Sequence, residues 1–153
     1  IEFLLSANAG EPVKPLAKVA SGGELSRIML AFKAIFADRD AMPTLIFDEI
    51  DTGISGRMAS VVGEKMVRIA MSHQILCVTH LPQIAALADT HYMVEKQSDG
   101  KATHTRVQRL DDDGCVRRLC DMMSGGTSSA SAREHARELL QASRKDKAEI
   151  REG

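Results

Sequence analysis

The stretch Thr44-Leu-Ile-Phe-Asp48-Glu49-Ile50-Asp51-Thr52-Gly53-Ile54-Ser55-Gly56 decides the fold. Thr44–Phe47 is a short apolar run, with Pro43 before it and two acids after it. Such a run reads as a buried strand. The strand delivers Asp48 and Glu49 at its C-terminal end, where open α/β sheets bind their ligands. One acid at that place can hold Mg²⁺, directly or through water. The second can orient or deprotonate an attacking water. Loops after strands are polar in any case, so the pair alone is also consistent with a plain surface turn.

Upstream, Ala20-Ser21-Gly22-Gly23-Glu24-Leu25-Ser26-Arg27 opens a long helix that Pro43 ends. Leu25, Ile28, Met29, Phe32, Ile35 and Phe36 form its apolar stripe. Glu2–Ala7 is a strand candidate, and Asn8–Pro15 is the loop after it. Downstream, Thr52–Gly56 is a glycine-containing turn. A helix of about Ser55 to Met71 follows, with Met58, Val61, Val62, Met66 and Ile69 as its stripe. Gln74–Thr79 reads as another buried strand, and Pro82 begins a short helix over Gln83–Ala88. The pattern then changes. Tyr92–Lys96 and Thr103–Leu110 are strands joined through Ser98-Asp99-Gly100, a hairpin signal. Asp111–Gly114 reads as a polar turn, Cys115–Met123 as a helix and Ser124–Ser131 as a flexible loop. Ser131–Ala142 is a helix candidate, and Ser143–Gly153 is a mixed-charge tail expected to be a frayed, solvated helix end. Alternation of strands and helices implies an α/β layer with mainly parallel strands.

Two further features could carry chemistry. In Ser21-Gly22-Gly23-Glu24 the glycines let a phosphate approach the backbone closely, and the start of the following helix attracts an anion. Ser21-x-x-Glu24 also fits a capping box, which needs no ligand. His80 follows Gln74–Thr79 directly and is expected at the same sheet edge as Asp48 and Glu49. A neutral imidazole there can hydrogen-bond a phosphate or the attacking water, or serve structure alone.

In this order and spacing, Ala20–Arg27, Asp48–Gly56 and Val78–Gln83 resemble the C-terminal half of an ABC-type ATPase head. Within that family they are most similar to the branch of SMC-like DNA repair ATPases, over roughly Ile1 to Leu140. Ser21–Glu24 resembles the signature, Leu45–Glu49 Walker B, Ile50–Gly56 the D-loop and His80 the switch histidine. Ala20 stands where many of these proteins have Leu, Glu24 where transporters have Gln, and Ile50 where transporters have Pro. All three point away from transport. The P-loop pattern G-x-x-x-x-G-K-[ST] occurs nowhere in the sequence. The family carries it in an N-terminal lobe, separated from this half by a long coiled coil.

The resemblance therefore implies that residues 1–153 are a single C-terminal lobe of a P-loop NTPase-like α/β head, with a β-hairpin and C-terminal helices. It implies ATP and Mg²⁺ as cofactors. Asp48 would bind the metal, Glu49 would be the general base, and His80 would sense the γ-phosphate in cis. Ser21, Gly22 and Gly23, with Glu24 in the same motif, would grip the γ-phosphate across a head–head dimer. Asp51 would sit at the seam. The partners implied are the N-terminal P-loop lobe, a second head and, through the complete protein, DNA under double-strand-break repair. The expected place is the cytoplasm, at the nucleoid. The isolated chain, lacking the P-loop, is expected to be inactive. The competing readings are a nucleotide-binding fragment of another ABC-type ATPase (a transporter or an SMC protein) and a non-catalytic structural lobe.

Composition narrows the field further. Lys and Arg number 20 against 21 Asp and Glu, a net charge of −1, so a broadly basic nucleic-acid coat is excluded. Aromatics are 3%, with no Trp and one Tyr, which argues against a base-stacking platform. No apolar run is long enough to span a membrane and no signal peptide is visible. The three cysteines, Cys77, Cys115 and Cys120, suggest a reducing setting. A zinc site from Cys115, Cys120 and His135 is disfavoured by their scatter, and Asp111–Asp113 lacks the spacing of a calcium loop. The chain begins at Ile1, which suggests a piece of a longer protein.

Overall fold

The structure is a computed structural model and describes residues 2–6, 10–36, 42–98, 100, 102–126 and 129–152. The chain divides into two compact units, Ile1–Thr79 and His80–Gly153.

In the first unit, β1 (Leu4–Leu5) pairs antiparallel with β2 (Lys14–Pro15). Lys14–Pro15 thus form a strand inside the stretch expected to be a loop; Ala7, Asn8 and Ala9 lie outside the described residues. The one-turn helix α1 (Leu16–Val19) follows. Next comes α2 (Gly22–Phe36), whose Phe32 ring lies 5.5 Å from that of Phe3. The core of the unit is a βαβ crossover: β3 (Thr44–Phe47), α3 (Gly56–Ile69) and β4 (Gln74–Cys77). β3 and β4 are parallel, with Thr44 opposite Gln74 and Phe47 opposite Cys77. Helix α3 buries Ala59, Val62, Met66, Val67 and Ile69, at the period of about 3.6 that its sequence sets, and it packs against α2.

The two strands differ from the sequence expectation of burial. Leu45 and Phe47 are buried, but Ile46 between them is 70% exposed. Leu76 on β4 is 47% exposed and Val78, just beyond it, 64%. Alternate residues of a strand face opposite sides, so among the described residues one face of the parallel ribbon is covered and the other is open. Parallel strands are ordinarily covered on both faces.

In the second unit, α4 (Pro82–Ala85) carries buried Ile84. β5 (Tyr92–Ser98) and β6 (Thr103–Arg109) form the expected hairpin, with Tyr92 opposite Arg109 and Val94 opposite Val107. Asp99, within its connection, lies outside the described residues. α5 (Asp112–Ser124) packs on α6 (Ala130–Glu152). Their core contains Ala86, Cys115, Val116, Leu119, Cys120, Ala136 and Leu140.

Three sequence expectations are corrected in this unit. Asp111–Gly114 is not a turn but the start of α5. The Asp111 carboxylate caps the helix by accepting from the Gly114 N–H at 2.7 Å, and Asp112 and Asp113 favour the positive end of its first turn. The C-terminal segment is the expected helix end and most of it is exposed, but it is not frayed. α6 runs unbroken through it, and Ser143 and Lys147 are buried. Lys147 Nζ donates to Asp89 Oδ1 at 2.8 Å and to the Ala88 carbonyl at 3.2 Å, while Arg151 donates to Asp89 Oδ2 at 2.8 Å. Of the expected loop Ser124–Ser131, Ser124 ends α5, and Ala130 and Ser131 open α6. Gly125 (φ 62°) caps α5 in the left-handed region, and Thr127 and Ser128 lie outside the described residues.

Candidate functional site: a carboxylate turn seated on a glycine helix start

β3 ends at Phe47, and the chain turns at once through Asp48, Glu49 and Ile50. The side chains of Asp48 and Glu49 are exposed, whereas Ile50 and Asp51 are buried, Asp51 at 2% exposure. Glu49 has φ 57°, the left-handed region that costs a residue with a side chain energy and persists only where its surroundings enforce it.

Those surroundings are the first turn of α2. A Cβ placed on Gly22 would stand 2.8 Å from Glu49 Oε2. One placed on Gly23 would stand 3.0 Å from the Glu49 carbonyl oxygen and 3.0 Å from Thr52. The glycines let the helix start approach the turn more closely than a residue with a side chain ordinarily could. Polar fasteners add to this close fit. Ser26 Oγ donates to the Asp48 carbonyl at 3.0 Å. Arg27 Nη1 donates to the carbonyls of Ile50 at 3.2 Å and Thr52 at 2.8 Å. The Thr52 N–H donates to the Glu49 carbonyl at 3.1 Å. On the other side of the turn, Thr79 Oγ1 donates to Asp51 Oδ2 at 2.6 Å.

The capping box is also present. Ser21 donates to Glu24 Oε2 through both its N–H and its hydroxyl, each at 2.8 Å, and the Glu24 N–H donates back to Ser21 Oγ at 3.4 Å. The Ser21 hydrogen bonds, that to the backbone N–H first, hold the Glu24 carboxyl below its ordinary range. Ser21 and Glu24 therefore have a structural role whatever else they touch. Cys77, at the end of β4, has its thiol pushed up to about 12, by burial first and then by the charges of Asp51 and Asp48. It stays protonated and is no nucleophile.

Of the residues singled out in the sequence, Gly22, Gly23 and Glu49 come together directly, and Asp48 joins them through Ser26. Asp51, expected at a seam between heads, is buried under Thr79, so any part it takes there runs through the turn it anchors. His80 is the first residue of the second unit and is placed with that unit. Sequence reading missed Ser26, Arg27 and Thr79 as fasteners. Arg27 carried a usable signal: it lies four residues after Gly23 and so on the same helix face.

Among the described residues no group of three or more His, Cys, Asp or Glu forms a ready-made metal cage. Mg²⁺ binds through one or two carboxylates, with phosphates and waters completing its shell. The exposed Asp48 carboxylate at the strand end suits that mode of binding. Among the described residues, no helix is long and apolar enough to cross a membrane.

No family model matches the chain. It is 51% identical over 140 residues to the DNA repair protein RecN of Halalkalibacterium halodurans, covering 92% of this chain and 25% of that protein. To the RecN of Streptomyces coelicolor it is 47% identical over 147 residues (96% of this chain, 26% of that protein). To the RecN of Bacillus subtilis it is 48% identical over 141 residues (92% and 24%). A solved structure from work on ATP-driven dimerization and DNA stimulated activation of SMC ATPases superposes with a TM-score of 0.49 at 22% identity, covering 79% of this chain and 71% of that one. Over nearly its whole length the chain is similar to these RecN proteins, and it spans about a quarter of their length.

Proposed function

We propose that this chain is the C-terminal lobe of a RecN-like ATPase head that serves DNA double-strand-break repair, and that it supplies part of an ATP site completed by other polypeptide. The observation that carries the reading is the seating of the glycine helix start on the Asp48–Glu49 turn. Two motifs 25 residues apart, Gly23 and Asp48 among them, are built into one structure around an exposed carboxylate pair. Asp48 holds Mg²⁺, which neutralises phosphate charge when bound with ATP. Glu49 orients and deprotonates the attacking water as general base. Ser21, Gly22 and Gly23 face the γ-phosphate held by a second head, where backbone N–H groups at a helix start suit an anion. Asp51 supports the seam between heads from inside the turn, and His80 senses the γ-phosphate in cis.

The open face of β3 and β4 supports a further lobe. Ile46, Leu76 and Val78 need a cover, and a P-loop lobe of the same protein supplies it. The absence of a P-loop from the sequence fits that division of labour, and it makes the isolated chain inactive. Head dimerisation, DNA as the ultimate partner and a cytoplasmic, nucleoid-associated site belong to the same proposal, and the name of the RecN relatives as DNA repair proteins supports the DNA part of it.

The test uses the head reassembled with its P-loop lobe. Glu49→Gln is expected to abolish ATP turnover while keeping Mg·ATP binding and trapping engaged dimers. Asp48→Asn is expected to weaken Mg·ATP binding itself. Equal nucleotide retention and equal elution in sizing experiments for the two variants would contradict the assignment.

A further inference from the structure

We propose that Arg27 is a positioning residue for Glu49, acting from the glycine-motif helix on the backbone of the turn that carries the acid. The proposal rests on the reading of Glu49 as general base and goes beyond it, because nothing in that reading says what keeps the base in place.

Glu49 sits at φ 57°. A residue in that region relaxes unless its neighbours are fixed. Arg27 Nη1 bridges the carbonyls of Ile50 and Thr52, the residues on either side of Asp51. A charged donor on a backbone carbonyl makes a stronger bond than a neutral one. Asp51 is held from its side chain by Thr79. The turn is thus pinned at its backbone from α2 and at its buried carboxylate from the end of β4. Ser26 restrains the carbonyl just before Glu49, and Gly23 leaves room for the one just after it. Without Arg27, the carbonyls of Ile50 and Thr52 lose their link to α2, and the restraint that holds Glu49 in the left-handed region is weakened on that side.

The arrangement has a direct consequence. Arg27 lies about one turn along the same helix from Gly22 and Gly23. A load on that helix start, such as a docking partner head, therefore reaches the backbone on the far side of Glu49 through Arg27, while Ser26 and the glycines bear on the near side. The signature and the base are coupled within one chain, in addition to any contact the signature makes across a dimer.

The experiment measures ATP turnover against ATP concentration, together with thermal melting, in the full-length protein carrying Arg27→Met, Arg27→Lys or Glu49→Gln. Arg27→Met keeps the stem and removes every donor. It is expected to lower kcat roughly 10- to 100-fold, the cost of a misplaced catalytic group, with KM changed less than about threefold and with melting close to wild type. Arg27→Lys keeps the charge on a flexible stem without the rigid fork, and its kcat is expected to fall between the two. Wild-type kcat in Arg27→Met, with Glu49→Gln inactive, overturns the positioning role alone. Full turnover in Glu49→Gln overturns the general-base reading and this proposal with it. A merely structural role would show as kcat lost only in proportion to unfolded protein. Should Arg27→Met fail to fold, Arg27→Lys decides: a folded Arg27→Lys with wild-type kcat and KM overturns the proposal, and one with reduced kcat at unchanged KM upholds it.

Discussion

Around Glu49 in the first unit, Ser26 and Arg27 are tied to backbone carbonyls. In the second unit the buried cation, Lys147 at 9% exposure, is tied to a carboxylate and lies on a helix packed into an apolar core. The first arrangement fixes a backbone conformation that the chain would otherwise leave, and it keeps two carboxylates in solvent. The second neutralises a charge and joins two segments. Both units enclose a small core almost completely, Ile50 and Ile69 in the first and Leu119 and Cys120 in the second. The difference teaches that polar fasteners in the first unit shape a turn, whereas those in the second tie a helix to the segment beside it; each unit also leaves a strand surface open, at Ile46 and Leu76 in the first and at Val94 and Val107 in the second.

The sharpest way to break this comparison is at the two glycines. Gly23→Ala sets a methyl against backbone atoms at 3.0 Å, which cannot move without moving the turn. It is expected to cost about 1–3 kcal/mol of stability, the range for overpacking, measured by denaturant unfolding of the chain. Gly22→Ala meets only the end of the Glu49 side chain, at 2.8 Å, and that end can swing away. Its stability is expected to change by no more than about 0.5 kcal/mol, while kcat in the reassembled head falls roughly 10-fold because the carboxylate is displaced. Equal stability losses in the two variants would mean that the turn does not rest on α2 as described.

A smaller effect sharpens the other side of the comparison. Burial alone would raise the Asp89 carboxyl, but the hydrogen bonds from Lys147 and Arg151 outweigh it and hold Asp89 below its ordinary value. A carboxyl whose folded value is lowered adds stability above its unfolded value, and that contribution is lost as pH falls through the folded one. The contribution is therefore present above about pH 4 and lost below it. In thermal melts from about pH 6 down to about pH 3, Asp89→Asn is expected to lose less stability than the unchanged chain. Parallel acid limbs would show that the ion pair contributes nothing in solution, as many exposed pairs do.

How much of this was legible in the sequence depended on whether a local signal had one physical meaning. The run ending at Asp48-Glu49 could be read, because an apolar run bounded by Pro43 and two acids has few other uses. The capping box could be read for the same reason. The paired glycines were legible as a place of close approach, but not as to what approaches: the nearest groups in the structure are Glu49 and Thr52. The C-terminal helix misled because its buried stripe, Ala136, Leu140, Ser143 and Lys147, has helical spacing but ends in polar residues. Lys147 is buried by its long stem and its partner Asp89, which lies 58 positions away in the chain. The open face of β3 was illegible because a strand's sequence records that both faces are to be covered, not which polypeptide covers them.

The central claim is that this chain gives its glycine motif to a neighbour's ATP and its carboxylates to its own. Complementation between two reassembled heads tests it most directly. Ser21→Arg places a bulky cation at the helix start and leaves Asp48 and Glu49 intact, while Glu49→Gln leaves the helix start intact. Each variant alone is expected to show no ATP turnover. Mixed together, they form dimers in which one composite site joins a sound Glu49 with a sound Ser21. The account predicts partial recovery of turnover in the mixture. A mixture as inactive as its parts, or normal turnover by Ser21→Arg alone, would contradict it.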